Sequence, residues 1–208
     1  MDDSYLTIKR PSRSEIKVKG SRFIGETLVV STVDDALARL ADVRKREYQA
    51  THHCFAYIVG LPGNQSFKYS DDGEPNGTAG KPIYDVVAGQ GVTNILCVIT
   101  RYFGGTKLGT GGLVRAYGEA ARQVMEMSGM TEHYVTCEFL FKLVFPIYDR
   151  WLKVVHELEA TVVKSDFSDS VSMRIRIRTG RVDRLLDAFT EITSGSGTVE
   201  KISDNQTD

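Results

Sequence analysis

Six glycines fall within the fifteen residues from Gly104 to Gly118, in the stretch RYFGGTKLGTGGLVRAYG. No other feature limits the fold as much. Glycine loses more conformational freedom on folding than any other residue, so such density implies a sharp bend or a close approach to the backbone. The run NILCVITR before it reads as a buried strand. After it, Leu113, Tyr117, Ala120, Ala121 and Val124 form one stripe of a helix from about Thr110 to Ser128, with Gly129 beyond its end. Strand, glycine loop and helix together offer free backbone N–H groups to an anion. Thr110 is placed to cap the helix or touch a phosphate, and Lys107 and Arg115 add positive charge nearby. Tight packing of helix on sheet explains the same glycines equally well. Known nucleotide loops fit poorly. Gly104 and Gly109 have Walker A spacing, but Thr110 and Gly111 stand where Lys and Ser or Thr belong. A GxGxxG that begins at Gly109 and Gly111 ends on Val114.

The rest of the first 130 residues reads as α+β. Strands are expected near 14–19 and 22–30, then a helix from about Asp34 to Tyr48 with Asp34 and Asp35 at its positive N-terminal end. HHCFAYIVG is apolar at both parities after its histidines, as a central strand buried on both faces would be. Pro82 suits the first turn of a helix stopping near Gly89. The loop SDDGEPNGTAGKP carries Asp71, Asp72 and Glu74. Clustered carboxylates suit Mg²⁺, but a glycine-containing turn with Asp side chains bonding the local backbone is the better reading. His52 and His53 are adjacent, so on a strand they point to opposite faces and do not readily share a metal. Either could titrate near neutrality as a base, yet no triad spacing supports one. Cys54 reads as core.

The last 75 residues have a simpler grammar. YVTCEFLFKLVF alternates, with Val135, Cys137, Phe139, Phe141, Leu143 and Phe145 on one face. Ile147, Trp151, Val154, Val155 and Leu158 make a helical stripe, and TVVKSDF and VSMRIRIR read as strands. Val182, Leu185, Leu186, Phe189 and Ile192 make a second stripe, and GTVEKIS closes the unit as a short strand. The order βαββαβ is the ferredoxin-like split motif. Its open face should carry Arg174, Arg176 and Arg178 beside Glu138. An RNA-recognition domain puts stacking aromatics there, whereas these phenylalanines have the core parity. The arginine row could hold phosphates; a solvated face with Glu138 as partner is the preferred reading. The tail SDNQTD is expected to fray.

A chain of 208 residues suffices for one large domain or two small ones. Residues 1–130 carry 16 Lys+Arg and 14 Asp+Glu, a charge of +2, and the remainder carries 10 against 13, or −3. Neither part is basic enough to imply nucleic-acid binding from charge alone. Cys54, Cys97 and Cys137 form no CxxC pair, which argues against a zinc site or redox pair. Three thiols in apolar surroundings fit a reducing interior. There is no signal-peptide pattern and no run of 18 apolar residues. A cytoplasmic protein is expected.

Several stretches resemble the YigZ/IMPACT family: SRFIG at 21–25, THHCFAY at 51–57, SDDGEPNGTAGKP at 70–82 and ITRYFGGTKLGTGGLVRAYGEAAR at 99–122. The resemblance is to the bacterial two-domain form. It implies an α+β protein: residues 1–130 would be an α/β sandwich like domain 2 of ribosomal protein S5, with a left-handed βαβ crossover. Residues 131–208 would be a small ferredoxin-like domain. Eukaryotic members regulate translation during starvation through a preceding RWD domain that has no counterpart in this sequence, so their partner is not carried over. The family has no established catalytic residues. The resemblance carries over His52, Asp72, Gly73, Glu74, Arg101, Tyr102, Gly104, Gly105 and Gly109 as a shared surface. With Thr110, Gly111, Gly112 and Arg115 these form the expected binding surface. The expected function is a non-enzymatic regulatory protein linked to translation, contacting ribosome, RNA or a translation factor, with neither metal nor cofactor. The alternative is an enzyme acting on a phosphorylated small molecule or nucleotide: phosphate on Gly109–Gly112, Mg²⁺ on Asp72 and Glu74, and His52 or Arg101 at the reacting group. An exposed Tyr102–Phe103 anchor for a protein partner is a third reading.

Overall fold

The computed structural model describes residues 3–207. The chain divides into two compact units, Tyr5–Glu132 and a second from His133 onward that also takes in the segment ending at Ser4.

The first unit is a five-stranded antiparallel sheet in the order β2–β3–β6–β4–β5, formed by β2 (Ser12–Val18), β3 (Ser21–Val29), β4 (His52–Val59), β5 (Ser66–Ser70) and β6 (Ile95–Tyr102). Because β6 pairs antiparallel with both β3 and β4, those two run parallel with β6 between them. The connection from β3 to β4 is α1 (Val33–Arg46). Thr32 caps it, its hydroxyl accepting from Asp35 N–H at 3.0 Å. Asp34 and Asp35 in its first turn and Arg44, Lys45 and Arg46 in its last match the helix dipole.

Both faces of this sheet are covered. Leu40 and Val43 of α1 pack with Phe55, Tyr57, Leu96 and Val98. The opposite parity, Cys54, Ala56, Ile58, Cys97 and Ile99, packs under α2 (Gly80–Gly89) and α3 (Thr110–Ser128). That double burial is why β4 and β6 are apolar at both parities. The helix expected from Pro82 begins two residues earlier, at Gly80. A strand that the sequence reading missed, β1 (Ser4–Ile8), continues into this unit, where Leu6 bridges Val92.

The second unit has the strands β7 (Met130–Leu143), β8 (Thr161–Phe167), β9 (Val171–Arg178) and β10 (Thr198–Thr207). They run antiparallel in the order β10–β7–β9–β8, the ferredoxin-like arrangement, and the same sheet takes in β1, which also pairs with β7. The helices α4 (Tyr148–Glu157) and α5 (Val182–Thr193) supply Trp151, Val155, Leu185 and Phe189 to one face. Phe141, Trp151 and Phe189 meet pairwise at 4.8–4.9 Å between ring centres. The tail expected to fray instead extends the ladder: β10 stays paired with β7 as far as Thr207, opposite Val135. Residues 3–4 join this unit as well, with Val135 N–H donating to the Asp3 carbonyl at 2.7 Å.

Candidate functional site

Sheet register brings the first residues of the site together. Arg101 of β6 lies opposite His52 of β4 on one side and Phe23 of β3 on the other. Its guanidinium sits 5.5 Å above the Phe23 ring and 5.5 Å from the Phe103 ring. Nη1 donates to Glu74 Oε1 at 2.5 Å, and Nη2 reaches Ser21 Oγ at 3.4 Å. Nε is buried and has no hydrogen-bond partner among the described residues. The Tyr117 hydroxyl, two turns into α3, donates to the same Glu74 oxygen at 2.7 Å.

The acidic turn delivers Glu74 to this point. Asp71 organises it: Oδ1 accepts from Ala79 and Gly80 N–H at 2.9 and 2.8 Å, and Oδ2 accepts from Gly77 N–H at 2.8 Å. One carboxylate therefore ties the loop to the first turn of α2. Asp72 adopts φ 45°, and its carboxylate accepts from Arg44 at 2.6 Å and from His53 N–H at 2.7 Å. Gly73 follows at φ 90°, where a Cβ would also stand 3.4 Å from His52 Nδ1. That Nδ1 lies 2.9 Å from the Asp72 carbonyl, which can only accept, so the proton is on Nδ1. Nε2 then faces Glu74 Oε1 at 3.8 Å. The Cys54 thiol donates to the Asp71 carbonyl at 3.0 Å, and burial pushes it far above the ordinary thiol range. Burial likewise pushes the Tyr117 hydroxyl up, helped by Cys54 and Glu74 beside it.

This geometry corrects the expectation of a displayed Arg101 and Glu74, and it agrees with the preferred reading of the acidic loop as a turn whose Asp side chain bonds the local backbone. Arg101 and Glu74 are 5% and 9% exposed, so they form a buried ion pair beneath the surface and are not displayed on it. The carboxylates offered for Mg²⁺ are already engaged by backbone N–H groups, guanidinium groups and a hydroxyl. Among the described residues no group of three His, Cys, Asp or Glu side chains is arranged to hold a metal ion. Tyr102 turns to the other face, where Arg22 lies 5.2 Å above its ring. Its hydroxyl donates to Glu47 at 2.8 Å. Burial alone would raise the Glu47 carboxyl, but Tyr102, Arg13 and Arg46 hold it below its ordinary value. Sequence reasoning missed Glu47, Ser21 and the Tyr117 hydroxyl as partners in these clusters. Ser21, inside SRFIG, and Tyr117, inside the glycine-rich stretch, lay within segments already singled out; Glu47 did not.

The glycines divide by role. At Gly104 a Cβ would lie 1.9 Å from the carbonyl carbon of Gly20, so backbone packs directly on backbone. Gly104 N–H also donates to the buried Ser21 hydroxyl at 3.2 Å. Gly105 and Gly109 take φ 85° and 73°, the left-handed values that glycine tolerates. Gly109, rather than Thr110, occupies the cap position of α3, and no side chain caps the helix. The N–H groups of Thr110, Gly111 and Gly112 donate to no group among the described residues. Gly111 is exposed, and a Cβ there would meet only Arg115, at 3.7 Å. Packing and bending thus account for Gly104, Gly105 and Gly109, while Gly111 answers to neither. No hydrogen bond among the described residues joins this helix start to the acidic turn, whose link to α3 runs through Tyr117.

The arginine row lies in the second unit and is engaged there. Arg174 and Arg176 both bond Glu138, which is 1% exposed. Arg178 pairs with Asp3 at 3.0 Å and lies 3.3 Å above the Tyr134 ring. Two carboxylates, Glu138 and Asp3, thus face three guanidinium groups and offset part of their charge.

The sequence matches two domain families: the Impact N-terminal domain over residues 19–125 and a domain of unknown function, DUF1949, over residues 149–196. The IMPACT family member YvyE of Bacillus subtilis is 32% identical over 203 residues, which is 95% of this chain and 91% of that one. The IMPACT family member YigZ of Escherichia coli is 32% identical over 201 residues, 93% of this chain and 96% of that one. A crystal structure described as that of an hypothetical protein superposes with a TM-score of 0.71 at 30% identity, covering 98% and 99% of the two chains. The glycine loop, the acidic turn and the sheet register that joins them all fall inside the Impact match, and the alignment extends along nearly the whole of these relatives. The chain belongs to the IMPACT family.

Proposed function

We propose that this protein is a non-enzymatic regulatory binding protein of the cytoplasm, linked to translation through contact with the ribosome, RNA or a translation factor. One observation carries the reading: the uncapped start of α3. Three consecutive backbone N–H groups, from Thr110 to Gly112, have no acceptor among the described residues, and Thr110 and Gly111 are exposed. Arg115 and Lys107 stand beside them with no ion-pair partner among the described residues. Helix N-termini of this kind favour anions through aligned N–H groups and the helix dipole. The enzyme alternative has less support, because Asp72 and Glu74 are occupied and Cys54 is held as a neutral thiol.

The test is co-sedimentation of purified protein with ribosomes on sucrose gradients at low and moderate salt, with Arg115→Glu and Gly111→Val alongside. Protein in the ribosomal fractions, released by either substitution and by salt, supports the reading. Protein that stays at the top of every gradient overturns it. Thermal stabilisation by nucleotides with Mg²⁺ would then favour the enzyme alternative.

A further inference from the structure

A groove of about 370 Å³ runs beside the first two turns of α3. Its size is within the roughly 300–1,000 Å³ of ligand-binding clefts. Its floor is apolar, made by Val18, Leu108 and Ala116. It exists because α3 carries small residues, Gly112 and Ala116, one turn apart on that side. Four charges line it. Arg122 and Glu119 neutralise each other through bonds of 3.2 and 2.9 Å. Lys19 and Arg115 are exposed and make no ion pair or side-chain hydrogen bond among the described residues. The groove therefore combines an apolar floor with two uncompensated cations.

Lys19 is held in place by the same glycine that opens the loop. It is the first residue of a two-residue turn joining β2 to β3, with Lys19 at φ 45° and Gly20 at φ 83°, the twist that suits a tight hairpin. The turn is clamped by Gly104, whose missing side chain lets the backbone press on Gly20. One cation thus stands on a fixed hairpin tip and the other on a helix, and both line the one groove.

We propose that this groove binds an acidic peptide segment of a partner protein, seating an apolar side chain on Val18, Leu108 and Ala116 while Lys19 and Arg115 hold flanking carboxylates. The proposal rests on the translation-linked binding reading and names the chemistry of its partner. Nucleic acid fits the groove less well. No aromatic ring lines it, so bases have nothing to stack on. Two uncompensated cations are also few for a phosphate backbone. The larger hollow on the second unit, about 700 Å³, sets Asp149 against Lys153 and selects no charge.

The experiment is fluorescence anisotropy of the intact protein with three labelled probes. The first is a dodecapeptide of Glu and Asp around a central Leu-Phe pair. The second has that pair replaced by Ser-Ser, and the third is a twelve-nucleotide oligouridylate. The first should bind in the micromolar range, at least tenfold tighter than the second. Lys19→Glu and Arg115→Glu should each weaken it tenfold or more without moving the thermal midpoint. Equal binding of both peptides, binding unchanged by either substitution, or oligouridylate as the tightest probe would overturn the proposal. If peptide binding fails while ribosome co-sedimentation persists, the groove assignment falls and the translation reading stands. Failure of both overturns both.

Discussion

Removing the Arg101 side chain should act on the stability of the first unit, because the group it neutralises is buried inside that unit. Arg101→Ala takes away the one cation facing Glu74, leaving that buried carboxylate with the Tyr117 hydroxyl and His52 Nε2 at 3.8 Å. It also removes the guanidinium lying between Phe23 and Phe103. Breaking a buried ion pair from one side costs about 3–5 kcal/mol, because the surviving charge loses both water and partner. For a unit of this size, roughly 2–8 °C of midpoint per kcal/mol predicts a fall of about 6 °C at the least and up to about 40 °C. The readout must come from the right unit. Trp151 is the only tryptophan and sits in the second core, so its fluorescence is blind to this change. Amide hydrogen exchange of β4 and β6 reports the first unit directly. The double variant Arg101→Met with Glu74→Gln removes both charges together and should be more stable than the sum of the single losses implies. A loss below about 1 kcal/mol for Arg101→Ala, or strict additivity in the double variant, would refute the buried-pair account.

Other consequences follow from the same structure. Gly104→Ala should destabilise the first unit severely, since its Cβ would overlap the Gly20 backbone. Gly118→Ala, where the new methyl meets only Arg122 at 3.6 Å or more, should stabilise α3 by about 0.5–1 kcal/mol. Urea melts of the two variants check the contrast. For Glu138, burial alone would raise the carboxyl, but hydrogen bonds from Arg176 and Arg174 hold it below its ordinary value of 4.5. A depressed folded value means a stabilisation complete above about pH 4.5 and lost as pH falls through the folded value. Trp151 fluorescence melts should therefore lose midpoint in that acid window, and Glu138→Gln should flatten the loss. Burial pushes the Cys97 thiol up to about 12, so iodoacetamide at pH 8 should modify Cys97 only after unfolding, as read by mass spectrometry.

Periodicity alone placed most elements, because burial writes itself into sequence. β9 alternates and is buried at every second residue; α3 begins and ends where its stripe and Gly129 put it. β4 after its histidines and β6 before Thr100, apolar at both parities, announced a sheet covered on both sides. β1 escaped because SYLTI is short and its pairing is decided by distant partners such as Val92. The tail escaped for a related reason: a polar segment stays ordered when an edge of β7 offers it a ladder, which no local pattern records.

Residue pattern alone revealed the two-unit plan, most of the elements, and the residues that would be special. It marked Asp71, Asp72, Glu74, Arg101 and the glycines without saying what each one does. Tertiary structure decided that. Register set Arg101 between His52 and Phe23, and the loop carried Glu74 inward to meet it, so a charge that looked displayed became a buried partner. The same packing set Gly104 against Gly20 and left the start of α3 bare. Local periodicity encodes which face of an element is buried, but not which charge on another strand will neutralise a side chain there. That depends on strands far apart in sequence, and only the folded chain specifies it.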